Sequence, residues 1–185
     1  KAGMPKGAML YAFDLDTAHL QRQYPIQEPG DDHFCDGLTL SPDGTVFVAD
    51  SAGLAIYQLS HRDERLRVLV GPEIGISPQG LALSRDGRIL FVSNYLSGLY
   101  AINLASRKIS PVREEPADSL AGIDGLISYG QDLIAIQNGI QPNRVVMLKM
   151  SEDSLIVEAV KTLEINHPLF GEPTLGVVVN DSLFF

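Results

Sequence analysis

Residues 35–44 read CDGLTLSPDG and residues 78–87 read PQGLALSRDG. Two decapeptides 43 residues apart that share six of their ten residues mark an internal repeat, and a repeat period decides a fold before any single element does. Both copies extend. The first runs DGLTLSPDGTVFVADSAGLAIYQL (36–59) and the second QGLALSRDGRILFVSNYLSGLYAINL (79–104). A third, more divergent copy is DGLISYGQDLIAIQNGIQPNRVVMLKM (124–150). Gly37, Gly80 and Gly125 are 43 and 45 residues apart, and Asp50, Asn94 and Asn138 are 44 and 44 apart. Partial copies flank them: GAMLYAFDLD (7–16) matches the second half of the unit, and TLGVVVNDSLFF (174–185) matches the first half.

Each unit reads as strands. Leu38 and Leu40 alternate with polar neighbours, and TVFVA follows as a β-branched and aromatic run. Between them, SPDG is turn chemistry. Pro42 presets φ for a type I turn, and Gly44 takes the left-handed conformation that returns the chain. SRDG (84–87) repeats this, and YGQD (129–132) is a looser version. A third strand (LAIYQL, GLYAINL, RVVMLKM) and a weaker fourth (RLRVLV, KISPV, LIVEAVKTLEI) complete the unit. Four strands repeating at about 40–50 residues predict an all-β chain, a β-propeller of four-stranded blades. The expected divisions within one domain spanning 1–185 are a half blade at 1–30, blades at 34–75, 77–118 and 121–166, and a half blade at 172–185. The two halves either join to close a four-bladed ring or belong to a larger one. Both ends read as cut, the first because KAGMPKG lacks an initiator Met and the last because VVVNDSLFF stops mid-strand. That favours the larger ring and a preceding segment.

The bulk numbers bound the function. A 185-residue chain with 45% hydrophobic and 20% charged residues is of globular composition. No apolar run approaches the ~18 residues of a spanning helix. A net charge of −9 argues against a nucleic-acid partner, which selects a basic face. The same charge suits a cation or a neutral small molecule. One cysteine, Cys35, allows no intrachain disulfide, so the compartment is not legible. Oligomeric state is not legible either.

In a propeller, strand one of each blade lines the central channel and strand two returns antiparallel. Asp36, Gln79 and Asp124 therefore fall around one mouth of the channel, with Asp50, Asn94 and Asn138 slightly further out on the same face. Asp43, Gly44, Asp86 and Gly87 fall on the opposite face. Oxygen donors converging on an axis suit a hard cation, since Ca²⁺ takes about 6–8 oxygen ligands. Turn capping through their own backbone is the competing reading for Asp50, Asn94 and Asn138. His33 and His167 read as loop histidines, Glu172 as a residue near the axis, and Cys35 as a buried small hydrophobe. In the last unit the alignment puts Thr174 at the Asp36 position. No nucleophile elbow, P-loop, dinucleotide fingerprint or H-E-x-x-H occurs.

DGLTLSPDGTVFVADS, SPQGLALSRDGRILFVSN, GIDGLISYGQDLIAIQNGIQPNRVVML and HPLFGEPTLGVVV together resemble the gluconolactonase, senescence-marker-protein and luciferin-regenerating-enzyme-like propellers, and the neighbouring NHL-type propellers. The resemblance implies a six-bladed propeller of which about four blades are present. It also implies one divalent cation over the channel mouth, Ca²⁺ first, with Zn²⁺ or Mn²⁺ as alternatives. By position, Asp124 in IDGL matches the family's Asp, and Asp36 and Gln79 sit where blade-start ligands occur. Asn138 sits where a further polar residue contacts substrate, and Glu172 matches the family's Glu. The family's blade-start Asn has no equivalent, and Gln79 is longer. The implied activity is metal-dependent hydrolysis of a sugar lactone or similar small ester. Asp36, Asp124 and Glu172 would hold the metal, Asp124 and Asp36 would act in catalysis, and Asn94, Asn138 and Gln79 would orient the substrate. The alternative is a non-catalytic propeller that binds a peptide, sugar or protein at the same rim.

Overall fold

The computed structural model describes residues 7–26, 33–114 and 119–185. The expected half blade at 1–30 and blade at 77–118 thus run partly into residues outside the described ones. The chain opens with a hairpin of β1 (Met9–Phe13) and β2 (Leu20–Pro25). An antiparallel sheet of β3 (Cys35–Leu40), β4 (Val46–Asp50), β5 (Ala55–Leu59) and β6 (Arg67–Val70) follows in chain order. The second sheet is β7 (Pro78–Leu83), β8 (Ile89–Asn94), β9 (Gly98–Asn103) and β10 (Ile109–Pro111). A two-residue strand β11 (Arg113–Glu114) comes next. The third sheet is β12 (Ile123–Tyr129), β13 (Asp132–Gln137), β14 (Arg144–Met150) and β15 (Ile156–Ile165). β16 (Val177–Val179) and β17 (Ser182–Phe184) form a last hairpin. A single 3-10 turn at Pro72–Ile74 is the one helical element among the described residues.

This is a β-propeller architecture: three up-and-down sheets follow one another at the predicted period, each flanked by the next. The weak fourth strand of the third unit forms as β15, after a loop at 151–155. One detail differs from the expected four-stranded blade. β11 leaves the second sheet and runs parallel to β15, pairing Arg113 with Ile156 and Glu114 with Val157, so the third sheet has five strands. The first and last hairpins form separate two-stranded sheets and do not pair with each other.

The sheets stack face to face, and each interface has its own core. Phe47, Ile56, Leu81, Leu90 and Ile102 fill the space between the first and second sheets. Phe91, Leu99, Ile123, Leu133 and Val146 fill that between the second and third. The first hairpin packs on the first sheet through Leu10, Ile26, Val48 and Tyr57. The last packs on the third through Ile136, Val145, Val178 and Leu183. Each fully buried side chain of this size contributes about 1.5–3 kcal/mol. A polar pin supplements the apolar contact: Ser128 Oγ donates to Leu83 O at 2.7 Å and accepts from Leu83 N at 3.1 Å.

The turns behave as their residues predict. Ser84 Oγ donates to Asp86 Oδ1 at 2.7 Å, and Arg88 N donates to the same oxygen at 3.1 Å. Ser41, Asp43 and Thr45 repeat this pattern. Gly44 and Gly87 take the expected left-handed conformation, with φ of 83° and 69°.

Candidate functional site

The inner hairpin of each of the three larger sheets carries a β-bulge at the same place. The register slips between Cys35 and Gly37, between Pro78 and Leu81, and between Ile123 and Gly125. The residues lifted out of the ladder are Asp36, Gln79 with Gly80, and Asp124. A bulge re-aims the side chain it releases, so the polar residue at each blade start is presented by a backbone irregularity rather than by strand alternation.

The glycine after each polar residue explains how these positions come together. A Cβ on Gly37 would collide with the backbone oxygen of Gln79, and one on Gly125 with that of Thr174. A Cβ on Gly80 would lie 2.7 Å from the backbone oxygen of Asp124. Each inner strand therefore nests against the axial residue of the next blade. Asp36, Gln79, Asp124 and Thr174 form one consecutive series around the rim.

The second ring differs from the sequence expectation. Cys35 pairs with Asp50, Pro78 with Asn94, and Ile123 with Gln137. The structural equivalent of Asp50 and Asn94 is therefore Gln137, not Asn138. All three are buried, and each makes at least one hydrogen bond to backbone. Asp50 Oδ1 accepts from Phe34 N and Gly53 N, both at 2.9 Å. Asn94 is 7% exposed, and its Oδ1 accepts from Leu96 N at 3.2 Å. Gln137 Nε2 donates to Ser119 O at 2.8 Å and Ala121 O at 2.7 Å. The residues one step later, Ser51, Tyr95 and Asn138, are the ones that stand beside the axial series. The reason is turn length. The hairpin of β12 and β13 closes through two residues, Gly130 and Gln131, against five between Leu40 and Val46. Equal sequence spacing therefore does not mean equal seats.

Asn138, Asp124 and Tyr95 form a connected group. Asn138 Nδ2 donates to Asp124 Oδ2 at 2.7 Å and to Pro173 O at 3.0 Å. Tyr95 Oη donates to Asn138 Oδ1 at 3.0 Å. Burial holds the Asp124 carboxyl above the usual range; the Asn138 hydrogen bond works against this, and the charges of Asp36 and Glu172 add to it. Burial also raises the Tyr95 phenol, helped by the charges of Asp124 and Glu172. Glu172 is solvent-exposed, but its charge reaches both.

Asp36 is raised as well, first by burial, with Ser51 opposing and the Asp50 charge adding. Its Oδ2 is buried without a hydrogen-bond partner. Only one other buried side-chain atom among the described residues shares that condition, His33 Nε2. His33 was expected in a surface loop. Instead its side chain is 5% exposed, with Nδ1 2.6 Å from Oδ2 of the fully buried Asp50. Cys35, expected to be buried, is exposed. Partial desolvation, then the charges of Asp50 and Asp36, push its thiol up to about 11, so it is not a thiolate nucleophile at neutral pH. His167 stays in the loop before β16, where Nδ1 accepts from Leu169 N at 3.1 Å. Beside Asp36 lies a cavity of about 310 Å³, walled largely by Leu10, Ile26, Leu38, Leu81, Leu126 and Leu175.

These residues fit the chemistry of a hard cation but not its ligand count. An Asp124 carboxyl raised by the charges of Asp36 and Glu172, and an orphaned acceptor on Asp36, are what a positive ion would relieve. Yet among the described residues no three His, Cys, Asp or Glu side chains stand close enough together to hold one. The signals that sequence reading missed are the bulges, the Tyr95 hydroxyl, the Gln137 anchor and the His33–Asp50 pair. The shorter YGQD turn was the one visible clue to the shifted ring.

No family model matches the chain. No curated protein matches it. Solved structures do. A chain of a nidogen/laminin complex is similar with a TM-score of 0.66 at 15% identity, over 91% of this chain and 64% of that one. Regucalcin from Agrobacterium tumefaciens, described as a calcium-binding protein, is similar with a TM-score of 0.66 at 15% identity, over 95% of this chain and 59% of that one. A gluconolactonase from Xanthomonas campestris gives a TM-score of 0.63 at 19% identity, over 90% and 57%. The chain thus spans less than two thirds of the length of each of these proteins. Among the described residues no helix is long and apolar enough to cross a membrane. At these identities the likenesses establish the fold, a β-propeller, and nothing finer.

Proposed function

We propose that the chain carries the rim of a lactone hydrolase and comprises about four blades of a six-bladed propeller. Its substrate would be a sugar lactone or similar small ester. The observation that carries this reading is the pair of bulge-presented carboxylates, Asp36 and Asp124. The charge of Asp36 reaches Asp124 and raises its carboxyl, and Asp36 borders the cavity of about 310 Å³. The likeness to a gluconolactonase and to a calcium-binding protein supports it.

In this reading Asp36 and Asp124, with Glu172 at the edge, would hold one divalent cation, Ca²⁺ first, with water completing the sphere. When bound, that ion would polarise the lactone carbonyl and acidify a water. The chain's own residues do the rest. A rim carboxylate, made more basic by burial, accepts the proton of the water that attacks the carbonyl carbon. The same group returns the proton to the ring oxygen as the acyl–oxygen bond breaks. Gln79 orients a substrate hydroxyl. Asn94 lies too deep to share that task, and Asn138 is committed to Asp124 and Pro173.

The test is turnover of a lactone panel, δ-gluconolactone included, followed by proton release with and without chelator. Loss of turnover on chelation and in Asp124→Ala is the expected result. Turnover unaffected by either would overturn the reading.

A second reading is a non-catalytic propeller that binds a peptide, sugar or protein at the same rim. The absence of a three-ligand cluster among the described residues favours it, as does the likeness to a nidogen/laminin complex chain. Calorimetry showing no heat with Ca²⁺, Zn²⁺ or Mn²⁺, together with no lactone turnover, would decide for it.

A further inference from the structure

We propose that Tyr95 is the positioning residue of Asp124, acting across the blade boundary through the Asn138 amide. The inference rests on the reading of Asp124 as a rim ligand for its functional consequence. Its structural content stands apart from that reading.

The amide orientation follows from its partners. An Asn side chain has one acceptor oxygen and one two-proton donor nitrogen. Asp124 Oδ2 and Pro173 O can only accept, and both lie within 3.0 Å of the same amide atom. That atom is therefore the nitrogen, and both of its protons are used. The oxygen is left facing Tyr95, whose hydroxyl is the donor at 3.0 Å. Turning the amide over would set an oxygen against two acceptors. Tyr95 thus locks the one orientation in which Asn138 supports Asp124. With Oδ2 occupied, the carboxylate has Oδ1 for a ligand.

The backbone is built to bring the phenol there. Gly122 N donates to Tyr95 O at 2.7 Å. Gly122 has φ of 70° and crosses Gly139 so closely that a Cβ on it would lie 2.7 Å from Gly139 Cα. A Cβ on Gly139 would lie 2.7 Å from Tyr95 Cζ and 2.8 Å from its Oη. Two glycines from the third blade therefore clear the space that a second-blade tyrosine occupies. A ring placed only to cover apolar surface would not need its hydroxyl end cleared in this way.

The experiment uses the ¹⁵N-labelled full chain, with the Asn138 side-chain amide assigned by its loss in Asn138→Ala. Hydrogen exchange of that amide is measured in the wild type and Tyr95→Phe, and the Kd for Mn²⁺ in these two and in Asn138→Leu. Tyr95→Phe keeps the ring and removes the donor. Expected are at least tenfold faster amide exchange, Mn²⁺ binding weakened about fivefold, the scale of one neutral hydrogen bond, and an unfolding midpoint close to the wild type. Asn138→Leu, which is close in size and cannot donate to Asp124, weakens Mn²⁺ more than Tyr95→Phe does. Unchanged amide exchange in Tyr95→Phe would overturn the proposal. Faster exchange with no Mn²⁺ bound by any protein, wild type included, would support the Tyr95 role and remove the cation reading alone.

Discussion

Gly80 lies against Asp124: a Cβ placed on it would stand 2.7 Å from the Asp124 backbone oxygen and 2.7 Å from Leu126 N. The obstacle is backbone on both sides, so no side chain can swing away. Gly80→Ala is expected to cost about 1–3 kcal/mol as an overpacked substitution, read from denaturant unfolding. Gly44→Ala is the control. It has open space around it but φ of 83°, so only the left-handed strain of about 1–2 kcal/mol applies. Gly80→Ala should in addition disturb the rim, whereas Gly44→Ala, on the opposite face, should not.

Asp36 destabilises the fold it belongs to. Its folded carboxyl is held above the ordinary 3.8, chiefly by burial. The native state therefore binds that proton more tightly than the unfolded chain does, and the group's contribution falls as pH rises from 3.8 through the folded value. At pH 7 the ionised group is a net cost. Asp36→Asn is expected to raise the thermal midpoint at pH 7 in the presence of chelator, and the gain should close as pH falls toward 3. A lower midpoint for Asp36→Asn across the whole range would contradict this.

Gln137 and Asn138 are neighbours with opposite roles. Gln137 is fully buried, holds Ser119 O and Ala121 O, and accepts from Arg144 Nε at 2.7 Å. Removing it takes away hydrogen bonds to Ser119 O and Ala121 O and the acceptor of Arg144 Nε, at about 0.5–1.5 kcal/mol for each bond lost. Gln137→Ala should therefore lower stability clearly. Asn138→Ala should lower it less and act on ligand binding instead. Chemical denaturation of the two variants separates them, and equal losses would mean that the register assignment is misplaced.

Asp50 anchors the foot of the first blade through His33, Phe34 and Gly53. Asp50→Ala leaves two amides and a buried imidazole without their acceptor, a loss of about 3–5 kcal/mol by analogy with breaking a buried pair. His33→Gln, which can still donate toward Asp50, should cost much less. Thermal unfolding of the two variants is the check, and an Asp50→Ala protein as stable as the wild type would refute the assignment.

The fold was legible because its signals are local and repeat. SPDG and SRDG are turn chemistry whatever surrounds them, and the 43-residue spacing carries them from blade to blade. Three members of the axial series were legible because each precedes a glycine: Asp36 before Gly37, Gln79 before Gly80, Asp124 before Gly125. The second ring was not. A bulge and a shortened turn leave no composition signal, so Asn138 aligned with Asp50 in sequence while Gln137 took the seat in space. Tyr95 passed unnoticed beside Asn94 because only the crossing of Gly122 and Gly139, distant in sequence, brings its hydroxyl to Asn138. His33 read as a loop residue because its partner lies seventeen positions away across a hairpin.

The most direct test of the central claim is to locate a paramagnetic cation by NMR. Mn²⁺ added substoichiometrically to the ¹⁵N-labelled chain should broaden the amides of Gly37, Gly80 and Gly125 first, because they follow the three axial residues of the rim. The amides of Gly44 and Gly87 on the opposite face should stay sharp. Broadening centred on the Ser-x-Asp turns at Asp43 and Asp86, or no selective broadening at all, would contradict the assignment of this rim as the functional site.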